Sequence, residues 1–208
     1  MQLDLSPPGL MAAYASGIFP MADDTGTVRW LAPDPRAVLE LEEFRVSRTL
    51  RGVVRRGLYD VRINTAFREM VAACADRVNG TWISPEIEAA YLELHRLGFA
   101  HSVESWFEDQ LAGGLYGVAL GGAFFGESMF HRRPDASKVA LVHLVERLKS
   151  RGFVLLDCQF LTEHLQRFGA REIPRAQYQR RLRKAIRLRC TFADQPTEGT
   201  PFPEVRFA

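Results

Sequence analysis

The sequence predicts a mixed α/β fold of the α+β kind. Three observations carry this. Strand-like runs cluster at 100–107, 111–119 and 123–130, separated by the turn candidates Asp109-Gln110 and Gly121-Gly122. Amphipathic stretches with helix-capping residues lie on both sides of that cluster. A helical pattern over 136–150 is followed by a short apolar strand at 153–159, an order that permits parallel pairing through a crossover. A chain of 208 residues can bury a full core, and its 47% apolar and 25% charged residues are ordinary for a globular protein.

The elements follow in order. Ser6-Pro7 reads as an N-cap followed by proline in the first helical turn, and Gly17 closes that short helix. Phe19-Pro20 and Pro33-Asp34-Pro35 read as irregular chain, so a small N-terminal α+β region is expected at 1–36 and a larger domain at 37–208. Ser47 caps a helix through Arg56, with Leu50, Val53 and Val54 inward and Arg48, Arg51 and Arg55 forming an outward stripe. Tyr59 to Ile63 reads as a strand, and 65–78 as a helix burying Phe67, Met70, Val71 and Cys74. Pro85 opens a helix with Ile87, Ala90, Tyr91 and Leu94 on one face and Gly98 at its end. The three central strands form an antiparallel meander, and Gly152 ends the helix that follows it. Pro174 opens a last, basic helix with Tyr178, Leu182, Ala185 and Ile186 as its apolar stripe.

Composition excludes several classes. Cys74, Cys158 and Cys190 form no CxxC pair and suggest no disulfide framework, which fits a reducing cytoplasm. The five histidines are scattered, and no HExxH or Cys/His cluster suggests a metal. Leu5 to Ala22 is uncharged but broken by Pro7, Pro8, Gly9, Gly17 and Pro20, so neither a signal peptide nor a membrane span is expected. The net charge is only +2, yet residues 171–189 hold eight Lys or Arg against the single acid Glu172. Arg45, Arg48, Arg51, Arg55 and Arg56 form a second basic run. Either cluster alone is equally a solvated face; together they point towards an anionic polymer.

The stretch from Gly113 to Phe160 holds the unexpected polar groups. Glu127 interrupts one apolar run, and Asp157 and Gln159 interrupt Leu155-Leu156-Asp157-Cys158-Gln159. Strand alternation puts Asp157 and Gln159 on one face and Leu156 and Cys158 on the other. A carboxylate left in such a run is hydrogen-bonded or used. A strand end meeting water explains Asp157 equally well. The order of elements matches an acyltransferase sheet of the GNAT kind, which grips coenzyme A with a glycine-containing loop before a helix. Here that stretch, His131 to Lys138, has no glycine, so a different acyl donor is the better inference.

A set of short motifs makes the resemblance specific. They are Ala13-Tyr14 with Gly17-Ile18-Phe19-Pro20, Pro33-Asp34-Pro35-Arg36, Gly80-Thr81-Trp82-Ile83 and His101-Ser102-Val103-Glu104. Gly113 to Val118, Gly126 to Phe130, Ala136-Ser137-Lys138, Asp157-Cys158-Gln159 and Glu172 to Arg175 complete it. In this order and spacing the chain resembles the leucyl/phenylalanyl-tRNA–protein transferase family over nearly its whole length. The family usually has a longer segment, rich in Pro and Gly, ahead of the Tyr14 region, and the chain departs from it at three further places. Met21 stands where Trp is common, His131 where Ser is common, and Trp30-Leu31-Ala32 where the family is more aromatic.

The resemblance implies a GNAT-like C-terminal domain, with no cofactor and no metal. The implied reaction moves leucine or phenylalanine, sometimes methionine, from aminoacyl-tRNA to the α-amine of a protein beginning with Arg or Lys, marking it for degradation. The catalytic centre it implies is Asp157 with Gln159, Asp157 holding the Gln159 amide so that its oxygen receives a proton from the amine. Glu127 would attract the acceptor's ammonium or basic side chain, and Cys158 should point away. An α-amine titrates near 7.7–8.0, so deprotonating it at pH 7 costs only about 1–1.4 kcal/mol, and positioning supplies more than that. The implied aminoacyl pocket is Leu115, Met129, Val142 and Leu156, with Gly126 allowing close approach; periodicity alone reads those four as core. Trp82 is the expected adenosine stack, although a lone Trp is by default a core or surface anchor. The stripe Arg48, Arg51, Arg55 and, on the last helix, Arg180, Arg181 and Lys184 are the expected phosphate contacts. A cytoplasmic monomer without membrane contact is expected. The alternatives are a coenzyme A-dependent N-acetyltransferase and a non-catalytic module binding tRNA or protein N-termini.

Overall fold

Serine hydroxyls start three of the helices. Ser6, Ser47 and Ser84 each accept a backbone N–H of the first turn, opening α1 (Pro7–Ala15), α2 (Arg48–Arg55) and α4 (Pro85–Arg96). Between the last two lie β4 (Asp60–Ile63) and α3 (Phe67–Ala75). The computed structural model describes residues 4–78 and 80–194. The last residues of the larger expected domain, 195–208, lie outside that range.

Phe19-Pro20 is not irregular chain. It belongs to β1 (Phe19–Ala22), which pairs antiparallel with β2 (Val28–Leu31). Asp23 closes this hairpin by accepting the Thr25 and Thr27 N–H groups. A second strand without a sequence signature, β3 (Arg36–Leu39), follows directly and is buried along its length.

The meander forms as expected from β5 (Ala100–Phe107), β6 (Gln110–Leu120) and β7 (Ala123–His131). The crossover helix α5 (Ala136–Ser150) then leads to β8 (Leu155–Gln159), parallel to β7. The short α6 (Glu163–Gln166), the edge strand β9 (Ala170–Ile173) and α7 (Arg175–Ala185) complete the described chain. The resulting seven-stranded sheet has the order β4-β5-β6-β7-β8-β3-β9, antiparallel except between β7 and β8.

Two cores flank the sheet. Apolar faces of α1, α3, α4 and α7 pack in one cluster, through Tyr14, Met70, Tyr91 and Leu182 among others. Those of α2 and α5 pack in the other, through Leu50, Val53, Val139 and Leu148. No helix of the described residues is long and apolar enough to cross a membrane.

The sheet opens at one place. β7 and β8 pair only from Ala123↔Leu155 to Phe125↔Asp157. Beyond that, β7 continues beside β6 to His131, while β8 ends beside Ala37 of β3. Both diverging strands carry an extra residue. Tyr116 pairs with Ser128 and Gly117 with Gly126, leaving Glu127 as a bulge in β7. Ala37 pairs with Gln159 and Val38 with Asp157, leaving Cys158 as a bulge in β8. These two irregularities aim the site residues.

Candidate active site

The split between β7 and β8 holds a cavity of about 420 Å³. Leu115, Gly126, Met129 and Leu156 line it, together with Leu141 and Leu144 of α5. Val142 does not. It is buried in the core on α5, and the helical period brings Leu141 and Leu144 to the wall instead. A Cβ at Gly126 would meet only the Asp157 carbonyl at 3.5 Å, so nothing but the cavity limits a side chain there.

Asp157 is fully buried behind the wall rather than in it. Its oxygens accept Nε and Nη2 of Arg36 at 2.9 and 2.7 Å and the Tyr178 hydroxyl at 2.6 Å. Oδ1 also accepts the backbone N–H of Gln159 at 3.0 Å. Asp157 therefore holds the main chain of Gln159 and not its side-chain amide. Gln159 sits at φ 58, in the left-handed region unusual for a residue with a side chain. A strained turn of this kind persists only where its surroundings over-determine it. Arg36 also donates to the Gly17 carbonyl and lies 4.7 Å from the ring centres of both Phe19 and Tyr178.

The Gln159 amide is held by Glu127. Its Nε2 donates to Glu127 Oε1 at 3.1 Å. Tyr14 donates to the same oxygen and Tyr91 to the other, each at 2.8 Å. Burial pushes the Glu127 carboxyl up to about 7, against the hydrogen bonds from Tyr91 and Tyr14. The sequence pattern places Tyr91 in the core and gives Tyr14 no role in the site. A hydroxyl on an otherwise apolar helix face is the available clue, because buried phenols take partners.

Cys158 lines the cavity instead of pointing away from it. Burial and the neighbouring Asp157 charge push its thiol far up, so it stays protonated. Trp82, Met21 and Phe19 stand on another side of the same cavity, and the Trp82 carbonyl accepts the Ala22 N–H, tying the hairpin to that wall. Arg77 also borders it and donates to the Ser128 hydroxyl and the Met129 carbonyl, at 2.9 and 3.2 Å. Two buried polar atoms of lining residues have no hydrogen-bond partner among the described residues, the Tyr116 hydroxyl and His164 Nε2.

The basic clusters lie apart. Arg48, Arg51 and Arg55 are exposed on α2, and Arg180 and Lys184 are exposed on α7, across the sheet from it. Arg181 is not free for phosphate, because Glu40 takes its Nη1 and Nη2 at 2.6 Å each. Among the described residues, no group of three or more His, Cys, Asp or Glu is placed to hold a metal ion.

The family described as leucyl/phenylalanyl-tRNA protein transferase matches residues 38–183, and its N-terminal domain matches residues 3–34. The leucyl/phenylalanyl-tRNA--protein transferase of Rubrobacter xylanophilus is 60% identical over 190 residues, covering 91% of this chain and 99% of its own. That of Salinibacter ruber is 56% identical over 184 residues, covering 88% and 81%. That of Gloeobacter violaceus is 53% identical over 193 residues, covering 92% and 100%. Among solved structures, L-PGS from Bacillus licheniformis has a TM-score of 0.44 at 14% identity, over 76% of this chain and 54% of that one. The chain is a transferase and belongs to the leucyl/phenylalanyl-tRNA protein transferase family.

Proposed function

We propose that this chain moves leucine or phenylalanine, and sometimes methionine, from aminoacyl-tRNA to the α-amine of proteins beginning with Arg or Lys. The product carries a destabilising N-terminus for proteolysis. One observation carries the reading. A cavity with an apolar wall of Leu115, Met129, Leu141 and Leu156 is closed on one side by the hydrogen-bonded pair Glu127–Gln159. The wall suits the donor's side chain, and Met129 adapts to either leucine or phenylalanine. The polar pair suits an ammonium.

Each residue then has a task. With its Nε2 bonded to Glu127, Gln159 offers Oε1 to an N–H of the amine. Asp157, neutralised by Arg36, fixes the turn that carries Gln159 and is a positioning residue. Glu127 supplies the negative charge that draws the ammonium in. The Tyr116 hydroxyl and His164 Nε2 are where polar atoms of the ester and its ribose find partners, since a buried unpaired group is costly. Trp82 and Met21 receive the terminal adenosine, and exposed Arg48, Arg51, Arg55, Arg180 and Lys184 meet RNA phosphates. The chemistry needs no cofactor, because the ester is already activated. The working form is a cytoplasmic monomer.

An acetyltransferase fits less well. The stretch from His131 to Lys138 that opens α5 has no glycine to cradle the pyrophosphate of coenzyme A, and an acid, Asp135, stands at the N-cap. The deciding assay mixes labelled Leu-tRNA and Phe-tRNA with peptides beginning with Arg, Lys or Asp. Transfer to the Arg and Lys peptides and not to Asp is expected. Binding of the tRNA with the ester left intact would indicate a module without turnover, and transfer from acetyl-coenzyme A would replace the reading.

A further inference from the structure

Tyr14 of α1, Tyr91 of α4 and Glu127 at the bulge of β7 form a closed triangle. The phenol oxygens are 2.6 Å apart, and each is 2.8 Å from a different carboxylate oxygen. Three contacts need three hydrogens, and two hydroxyls bring two. With Glu127 ionised, one of the three approaches has no hydrogen in it. One added proton completes the set. The triangle is therefore one proton short, and its carboxylate borders the cavity beside Gln159.

We propose that the Tyr14–Tyr91–Glu127 triangle is the acceptor for the proton that the incoming α-ammonium must lose, with Gln159 holding the amine against it. The inference rests on the aminoacyl-transfer reading and goes beyond it by assigning the base. One N–H bond of the ammonium breaks and its proton passes to a Glu127 oxygen. The freed nitrogen pair forms the new C–N bond at the ester carbonyl, and the C–O bond to the ribose breaks. A second amine proton goes to the departing ribose oxygen, leaving an amide with one hydrogen. After product release the proton on Glu127 returns to water.

The groups facing Glu127 agree with this choice. Tyr14, Tyr91 and Tyr116 are all pushed well above the usual phenol range by burial, so they remain hydroxyls. Asp157 of β8 raises Glu127 and Arg36 of β3 lowers it. Glu127 at about 7 lies within roughly one unit of an α-amine at 7.7–8.0. A carboxylate in the usual range near 4 would be a far poorer acceptor.

The test is single-turnover transfer from Phe-tRNA to an Arg-starting peptide, from about pH 6 to about pH 9 so that both groups titrate. Glu127→Gln keeps the size, can donate to a tyrosine, and takes up no proton. It is expected to be on the order of 10-fold slower near pH 6.5, where only a small share of the amine arrives neutral, and close to wild type at the alkaline end. Equal slowing at every pH would overturn the proposal and leave Glu127 as a holder of Gln159. Tyr14→Phe removes one donor to the carboxylate, so the ascending limb of the pH profile should move to higher pH. An unmoved limb would also overturn it, and this variant serves if Glu127→Gln does not fold. Absence of transfer by the wild-type protein to any peptide would instead defeat the aminoacyl-transfer reading itself.

Discussion

Arg36 and Asp157, 121 residues apart in sequence, form a fully buried two-point ion pair that joins the N-terminal region to the floor of the site. Arg36 Nη1 reaches the Gly17 carbonyl, while Asp157 Oδ1 holds the main chain of Gln159. The pair thus links the end of α1, the start of the hairpin and the turn that carries Gln159. Removing one partner strands a charge in the core, which costs about 3–5 kcal/mol. Asp157→Ala should therefore lower the melting temperature by roughly 6–20 °C, besides slowing transfer. Thermal unfolding by circular dichroism checks this. A variant that melts like the wild type while losing all transfer would return Asp157 to a direct chemical role.

In the proposed reaction the cavity wall sets the donor. A side chain added at Gly126 clears its neighbours and enters the cavity, so Gly126→Ala should leave stability nearly unchanged and disfavour phenylalanine. One methyl group in such a pocket is worth about 1–3 kcal/mol, or roughly 10–200-fold in discrimination. The measurement is the ratio of kcat/KM for Phe-tRNA and Leu-tRNA. Met129→Trp should move the same ratio, and ratios unchanged in both variants would remove the wall from donor selection.

Arg181 and Arg180 are neighbours in sequence with different expected phenotypes. Glu40 clamps Arg181, so Arg181→Ala should cost stability and leave the salt dependence of tRNA binding alone. Arg180→Ala and Lys184→Ala should each weaken binding and reduce the slope of log K against log salt by about 1. Filter binding across salt concentrations separates the two outcomes. A slope unchanged by either exposed-residue variant would take α7 off the RNA surface.

The legible parts of this fold are those that repeat a period or carry a cap. The meander from Ala100 to His131 is three strand-like runs separated by Asp109-Gln110 and Gly121-Gly122, and Ser6, Ser47 and Pro85 mark helix starts. β3 was invisible because four consecutive buried residues show neither a period of 2 nor one of 3.6, and a proline-rich segment precedes them. The hairpin was hidden by Pro20, which sits in a two-stranded edge where it displaces no essential donor. Asp157, Gln159 and Glu127 stood out as polar residues in apolar runs, but their directions did not. Alternation put Asp157 and Gln159 on one face. The bulge at Cys158 and the left-handed turn at Gln159 break that count, so one residue anchors and the other lines the cavity. Long-range partners such as Arg36 and Tyr178 leave no local pattern at all.

Glu127 also gives the protein a measurable pH signature. Its carboxyl is raised from 4.5 to about 7 in the folded state. Between those values the folded chain holds a proton that the unfolded chain has released. Its contribution is therefore fully present below pH 4.5 and is lost as the pH rises through 7. The amount is on the order of 1–3 kcal/mol for a side chain that borders an open cavity. His101 works in the opposite direction. Burial lowers it to about 3, so its contribution is lost as the pH falls below its ordinary 6.5. The wild-type profile sums both effects, and the informative quantity is a difference between variants. Subtracting the urea midpoints of Glu127→Gln from those of wild type, at about pH 5 and about pH 7.5, cancels His101 and isolates the carboxyl. Wild type should lose stability relative to the variant on going to the higher pH. A difference that stays flat would mean that Glu127 is ionised throughout, and the triangle would then take up no proton near neutrality.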